Sequence, residues 1–146
     1  MVKDLAVTRS LLLNAPAERV WEALTHPKMT NQYMFNCEVE SNWAQKGEIT
    51  WKGKYQGEEI FQRGEIVDIV PGKLLHYTTF DPHSGEEDAP ENYVHVRYEL
   101  TPMGHQTRLV TTLENFGGDE LRAEHAALAW DLEVLPRLKS LIETTL

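Results

Sequence analysis

The sequence predicts an α+β fold: a curved antiparallel sheet of about six to seven strands wrapped around a long C-terminal α-helix, with two short helices after the first strand. Three observations carry this expectation. Residues 37–113 consist of short alternating runs separated by turn residues, as a meander of antiparallel strands requires. Asp119 to about Thr145 is the longest stretch with helical periodicity. Ahead of both, NAPAERVWEALTHP (14–27) confines a short helix between two prolines. So short a helix is too costly to nucleate alone in water, so it must lean on a neighbour.

Taken in order, Leu5 to Leu13 is rich in strand formers and sets Leu5, Val7, Leu11 and Leu13 on one side if extended. Pro16 suits a first helical turn and Glu18 the positive helix end. Ala17, Val20, Trp21 and Leu24 then make one apolar stripe. Pro27 drives His26 out of the helical region, and a second short helix is expected over Lys28 to Tyr33. Turns are expected at Lys46-Gly47, from Gly53 to Gly57, at Pro71-Gly72 and at Pro102-Met103-Gly104.

Pairing HYTTF (76–80) with YVHVRYEL (93–100) about the acidic loop 81–92 puts Leu75, Tyr77 and Thr79 on one face with Val94, Val96 and Tyr98. His76, Thr78 and Phe80 share the other face with Tyr93, His95, Arg97 and Glu99. Setting Leu100 beside Leu109 adds Thr111 and Leu113 to the buried face and leaves Val110, Thr112 and Glu114 outside. Asp119, after Gly117-Gly118, is the expected N-cap of the last helix. A projection at about 100° per residue spreads Leu121, Leu128, Trp130, Leu132, Val134, Leu135, Leu138, Leu141 and Ile142 over more than half its circumference. Glu124 and Asp131 break that apolar arc and call for solvent, a basic partner such as Arg9, or a polar spot at a cavity mouth. Pro136 predicts a bend near Leu132.

Bulk properties narrow the function. The 146 residues make a single domain, 1–146, with a real core. With 23 acidic against 14 basic residues the net charge is −9 and the pI about 5.1, which disfavours nucleic acid as a partner. No run approaches the roughly twenty apolar residues of a membrane span. Asp4, Arg9 and Ser10 interrupt any signal-peptide core, so a cytoplasmic location is expected. Cys37, the single cysteine, leaves no intramolecular disulfide and no multi-cysteine metal site, and reads as a small buried hydrophobe. The six histidines show no metal-binding spacing, and no phosphate loop or nucleophile elbow appears, so neither cofactor nor metal is expected. The loop 81–92 does not match a calcium loop and reads as a solvated connection, with a lid or a contact for a basic partner as the alternative.

The chain resembles the family of homologues of the activator of the 90-kDa heat-shock chaperone ATPase, within the START-like, birch-pollen-allergen-like superfamily of helix-grip folds. The resemblance rests on Ala15-Pro16 followed by Val20-Trp21 and Leu24-Thr25, on GEIVDIVPGKLLHY (64–77), on VRYELTPMGHQTRL (96–109), and on the helix with Trp130 and Leu135. It implies a pocket between sheet and helix that takes apolar or amphipathic small molecules. The residues expected to line it are Tyr33, Phe35, Trp51, Tyr77, Tyr98, Thr111, Leu113, Leu128, Trp130 and Asp131, with a solid aromatic core as the alternative. A ligand-binding module is the favoured function. A cyclase or dehydratase would need an inward acid or base, and a chaperone-activating interaction module has family analogy alone behind it.

Overall fold

Strand β1 (Ala6–Leu13) opens the computed structural model, which describes residues 5–144. Val7 and Leu13 are buried and Leu11 half-buried, the period-two pattern of a sheet with one face on a core. Helix α1 (Ala17–Thr25) starts from Pro16, which is extended at φ −71° and ψ 159° and therefore precedes the first helical residue. His26 ends α1 in an extended conformation, as the proline after it dictates. Its Nδ1 then accepts the Lys28 N–H at 3.2 Å and so starts α2 (Pro27–Thr30). Helix α2 is shorter than expected: the chain beyond it continues in turns, and side chains tie this stretch to its neighbours. The Tyr33 hydroxyl donates to the Ala23 carbonyl at 2.7 Å, and Thr30 Oγ1 donates to the Cys37 carbonyl at 3.0 Å.

Strands β2 (Glu38–Ser41), β3 (Glu48–Tyr55), β4 (Glu58–Val70), β5 (Leu74–Thr79), β6 (Val94–Met103) and β7 (Gln106–Glu114) join β1 in a seven-stranded sheet. Its order is β1-β7-β6-β5-β4-β3-β2, and every neighbouring pair is antiparallel. The expected registers hold: Leu75 faces Tyr98, Tyr77 faces Val96, Thr79 faces Val94 and Leu100 faces Leu109. Gly53 is a correction, since it lies inside β3 and the turn is at Gln56-Gly57. The backbone of Asn36 and Cys37 presses on it there, and a Cβ would stand 2.5 Å from the Asn36 carbonyl oxygen. Strand β4 is the long one, at 13 residues. Its first part pairs with β3 and its last part with β5, with a register shift between Ile66 and Asp68, a device that bends a sheet.

The C-terminal helix comes in three pieces: α3 (Glu120–Ala129), a π-helical turn (Trp130–Val134) and α4 (Leu135–Thr144); Thr145 lies outside the described residues. Asp119 caps α3, its carboxylate accepting the Leu121 and Arg122 N–H groups at 3.0 and 3.1 Å. At the far end of the π turn the Leu135 N–H reaches back to the Trp130 carbonyl. Pro136 explains the position, because it has no N–H for the Leu132 carbonyl and its ring would clash with that group in a regular helix. The buried face is narrower than projected: Trp130, Val134, Leu135, Leu138, Leu141 and Ile142 are buried, while Leu121, Leu128 and Leu132 are 60%, 50% and 69% exposed. A wider turn in mid-helix rotates the residues before it relative to those after it, so one projection cannot place both ends. Helix α4 packs against α1 and β1, which is the support that the short helix between its prolines requires. Among the described residues no helix is long and apolar enough to cross a membrane.

Candidate functional site

A cavity of about 270 Å3 remains between the concave face of the sheet and the long helix. Its floor is made by alternate residues of successive strands: Trp51 of β3, Ile60 and Gln62 of β4, Tyr77 and Thr79 of β5, then Val94 and Val96 of β6. Leu113 of β7 and Phe116 close one side, and Ala126 and Trp130 come down from the helix. The segment Met34 to Cys37 closes the other end. Phe35 and Asn36 lie in the left-handed region there, at φ 50° and 64°, an uncommon conformation for a bulky residue. The turn is held by Asn36 Nδ2, which donates to the Lys54 carbonyl at 2.8 Å, and by the close approach at Gly53. Phe35 thereby meets Tyr55 edge-on, with ring centroids 5.3 Å apart, while also lining the cavity.

Among the described residues no Asp, Glu, Lys, Arg or His lines this space. Its ionisable groups are Cys37, whose thiol is pushed up to about 11 by burial, and Tyr77, whose phenol burial also pushes up. Both are neutral at pH 7. The polar features are the Thr79 hydroxyl and Gln62 Oε1, the first donating to the second at 2.6 Å; the indole N–H of Trp51 is itself buried and has no hydrogen-bond partner among the described residues. A chain of rings runs behind them: Trp51 to Tyr77 at 5.7 Å, Tyr77 to Tyr98 at 6.2 Å and Tyr98 to Trp130 at 5.9 Å. These separations fall in the range over which aromatic pairs attract.

Of the residues expected to line a pocket, Phe35, Trp51, Tyr77, Leu113 and Trp130 meet around the cavity. Tyr98 and Thr111 are buried on the same face of the sheet but do not border it. Tyr33 is a tie between α1 and the segment after α2. Leu128 and Asp131 are corrections: both lie on the outer side of the helix, because the π turn displaces the projection that set them inward. Asp131 takes the basic partner foreseen for it, Arg9 Nε and Nη2 donating to its two carboxylate oxygens at 2.7 and 3.0 Å. That hydrogen bonding holds the Asp131 carboxyl below its usual range. The pair is exposed and water screens it, so Asp131→Asn is expected to change stability by at most about 1 kcal/mol, with the loss shrinking further in high salt. Urea denaturation at two salt concentrations measures this, and a loss of several kcal/mol would give the pair a structural role. Met34, Ile60, Gln62, Phe116 and Ala126 are lining residues that the sequence did not single out. For Ile60 and Gln62 the signal was there, since they alternate along one strand.

The convex face carries a different arrangement. His76 Nε2 and His95 Nδ1 are 2.9 Å apart on neighbouring strands. Both imidazoles are half-buried, and burial lowers both pKa values, with Arg97 adding to the effect. Among the described residues no group of three or more His, Cys, Asp or Glu side chains could hold a metal ion. A shallow trough of about 530 Å3 on this side is lined by charged and polar groups, among them Arg63, Glu65 and Asp88. The acidic loop, expected to be a solvated connection, is tied down at several points. Asp88 pairs with Arg63 and accepts the Tyr93 hydroxyl at 2.6 Å, Phe80 stacks on Tyr93 at 4.9 Å, and Glu86 reaches Arg122 of α3 at 3.7 Å. A concave, mostly apolar space with a few polar groups is the usual form of a small-molecule site, so this cavity is the candidate.

The model of the family described as activator of Hsp90 ATPase homolog 1-like protein matches residues 14–143 of this chain. Among solved structures, ChR145 from Cytophaga hutchinsonii is 32% identical, with a TM-score of 0.81 over 99% of this chain and 97% of its own. The Aha1 dimer from Colwellia psychrerythraea is similar at 17% identity and a TM-score of 0.73, over 95% of this chain and 96% of that one. DynU16, from the dynemicin biosynthetic locus, is similar at 20% identity and a TM-score of 0.78, over 98% of this chain and 49% of its own. Comparison with curated proteins finds no match.

Proposed function

We propose that this chain, which belongs to the family of activator of Hsp90 ATPase homolog 1-like proteins, is a binding module for a small hydrophobic or amphipathic molecule. The observation that carries the reading is the cavity between sheet and helix, apolar over most of its lining and floored by Trp51 and Tyr77. A cyclase or dehydratase would call for an acid or base facing the ligand. The two ionisable groups that line the cavity, Cys37 and Tyr77, are both held neutral by burial, which favours binding over proton transfer. A chaperone partner has only the family and the resemblance to Aha1 behind it. The lone buried cysteine suits a reducing cytoplasm.

A panel of apolar planar compounds and fatty acids tests the reading by thermal melting. A ligand selective for the native state stabilises it by about 2.7 kcal/mol at a hundredfold excess over Kd, or about 5 to 10 °C in Tm for a chain of this size. Ala126→Phe, which places a ring in the cavity from α3, is expected to abolish the shift. If no compound raises the Tm of the parent protein, or if Ala126→Phe responds as the parent does, the reading fails.

A further inference from the structure

Leu121, Leu128 and Leu132 are the three most exposed large apolar side chains among the described residues, and all three stand on the long helix. At about 100° per residue they fall within about 40° of one another, opposite the buried Ala123 and Trp130. One exposed leucine is ordinary. Three in a row make an apolar ridge that no described residue covers. We infer that this ridge is an interface between two copies of the chain, which pack antiparallel about a two-fold axis level with Trp130. The inference does not depend on what the cavity holds.

The charges beside the ridge favour a second copy. The whole chain carries a net charge of −9, and two such chains repel, but the ridge itself is close to neutral. Asp131 is paired with Arg9, Glu133 with Arg137 and Glu86 with Arg122. Lys139 holds Glu143 at 2.8 Å. These cations all have carboxylate partners, so the ridge lacks the free basic flank that holds an amphipathic helix on an anionic membrane. Glu124 is the exception, with no ion pair or hydrogen bond among the described residues. It lies seven residues before Asp131 and so on the same side of the helix, the side toward β1, where Asp131 meets Arg9. Lys139 is on that side too, its Nζ donating to the Leu12 carbonyl at 3.5 Å. A two-fold axis that sets Leu128 of each copy against Leu132 of its partner keeps each side of the helix on the same side of the pair. Lys139 of the partner then stands about three residues, or about 4.5 Å, along the axis from Glu124, within reach of a lysine side chain.

Size agrees with charge. The three leucines leave roughly 300 Å2 of apolar side chain exposed, the area of the largest such patch on an ordinary monomer. Residues 121–136 span about 24 Å of helix. Pairing that length with its mate buries roughly 600 to 800 Å2 per copy, the lower end of a stable interface. A dissociation constant of about 10 µM is therefore expected.

Sedimentation velocity of the full chain at pH 7, from about 1 to about 200 µM, is expected to show monomer giving way to dimer. Leu128→Glu, present twice in each dimer, is expected to raise the dissociation constant by about a hundredfold or more. Its far-UV circular dichroism should match the parent's, because residue 128 is half exposed. Glu124→Lys sets a lysine against Lys139 of the partner and is expected to raise the constant about tenfold. Met103→Glu, at an exposed apolar residue on the β6–β7 hairpin, should leave it unchanged. Cysteines then test the register. Under mild oxidation a mixture of Leu128→Cys and Leu132→Cys should give a disulfide-linked dimer faster than either variant alone, since only the mixture sets two thiols face to face. A dimer that survives Leu128→Glu, or a mixture that cross-links no faster than its components, would overturn the inference. So would a chain that stays monomeric throughout, and one that then cosediments with phosphatidylcholine vesicles by way of Leu128 would give the ridge to a membrane surface instead.

Discussion

Tyr98→Ala is expected to cost about 3 to 5 kcal/mol, the range for truncating a large buried aromatic side chain. Tyr98 is fully buried. It faces Leu75 on β5 and Thr111 on β7, and its ring lies between those of Tyr77 and Trp130, so it joins the floor of the cavity to the helix above. Neighbours on three elements cannot all collapse into the space it would leave, which sets the cost at the upper part of that range. The hydroxyl is not the source of the loss. The Tyr77 and Tyr98 phenols are close enough to influence each other's ionisation, yet Tyr98 Oη makes no hydrogen bond of sound geometry. Tyr98→Phe is therefore expected to stay within about 1 kcal/mol of the parent. His95→Ala, on the convex face of the same strand, removes one half-buried hydrogen bond and is expected to cost about 1 kcal/mol. Guanidinium denaturation of the three variants checks the assignment, and similar small losses for Tyr98→Ala and His95→Ala would overturn it.

That Tyr98 faces inward was legible from the sequence, because alternation along a strand is a strict rule. Once Leu100 is set beside Leu109, every side chain on the paired strands is assigned a face, and Tyr77, Val96, Thr111 and Leu113 take their places without further information. The helix was less legible for a definite reason. Leu121, Leu128 and Leu132 look like parts of one stripe with Leu135 only if the helix keeps a constant pitch, and the π turn at Trp130–Val134 breaks that assumption. Pro136 announced an irregularity; its consequence for side chains a turn or two earlier depends on which helical turn widens, and composition does not reveal that. Gly53 illustrates a second limit. A glycine is a turn signal in local reading, but here it answers a long-range demand, the passage of the Asn36–Cys37 backbone across β3. The cavity depends on both features, since Trp130 enters it from the π turn and Phe35 and Cys37 from the segment that Gly53 admits.

Gly64→Ala is expected to be about as damaging as truncating a large core side chain, with a loss of about 3 kcal/mol or more. A Cβ at Gly64 would lie 1.7 Å from the Thr78 carbonyl oxygen and 2.4 Å from its carbon. Both atoms are backbone, so no rotamer change relieves the clash. Gly64 faces Ile49 of β3, while the next residue, Glu65, donates its N–H to Thr78 Oγ1 at 3.0 Å. The residue before it, Arg63, exchanges two backbone bonds with Phe80 at 3.0 and 2.8 Å. Making room means moving β4 away from β5 just ahead of the register shift between Ile66 and Asp68, which sacrifices those bonds and the Ile66–Tyr77 pairing beyond them. Tyr77 and Thr79 line the cavity from β5, so any fraction that still folds should also bind ligand less well. Gly57→Ala separates this effect from the general cost of replacing glycine. Gly57 has φ +83° and nothing within 4 Å of its missing Cβ, so the substitution meets only the left-handed backbone penalty, about 1 kcal/mol. Paired guanidinium melts of the two variants measure the difference. Equal losses at both positions would mean that β4 and β5 can part at little cost, and the close approach at Gly64 would no longer account for the shape of the concave face.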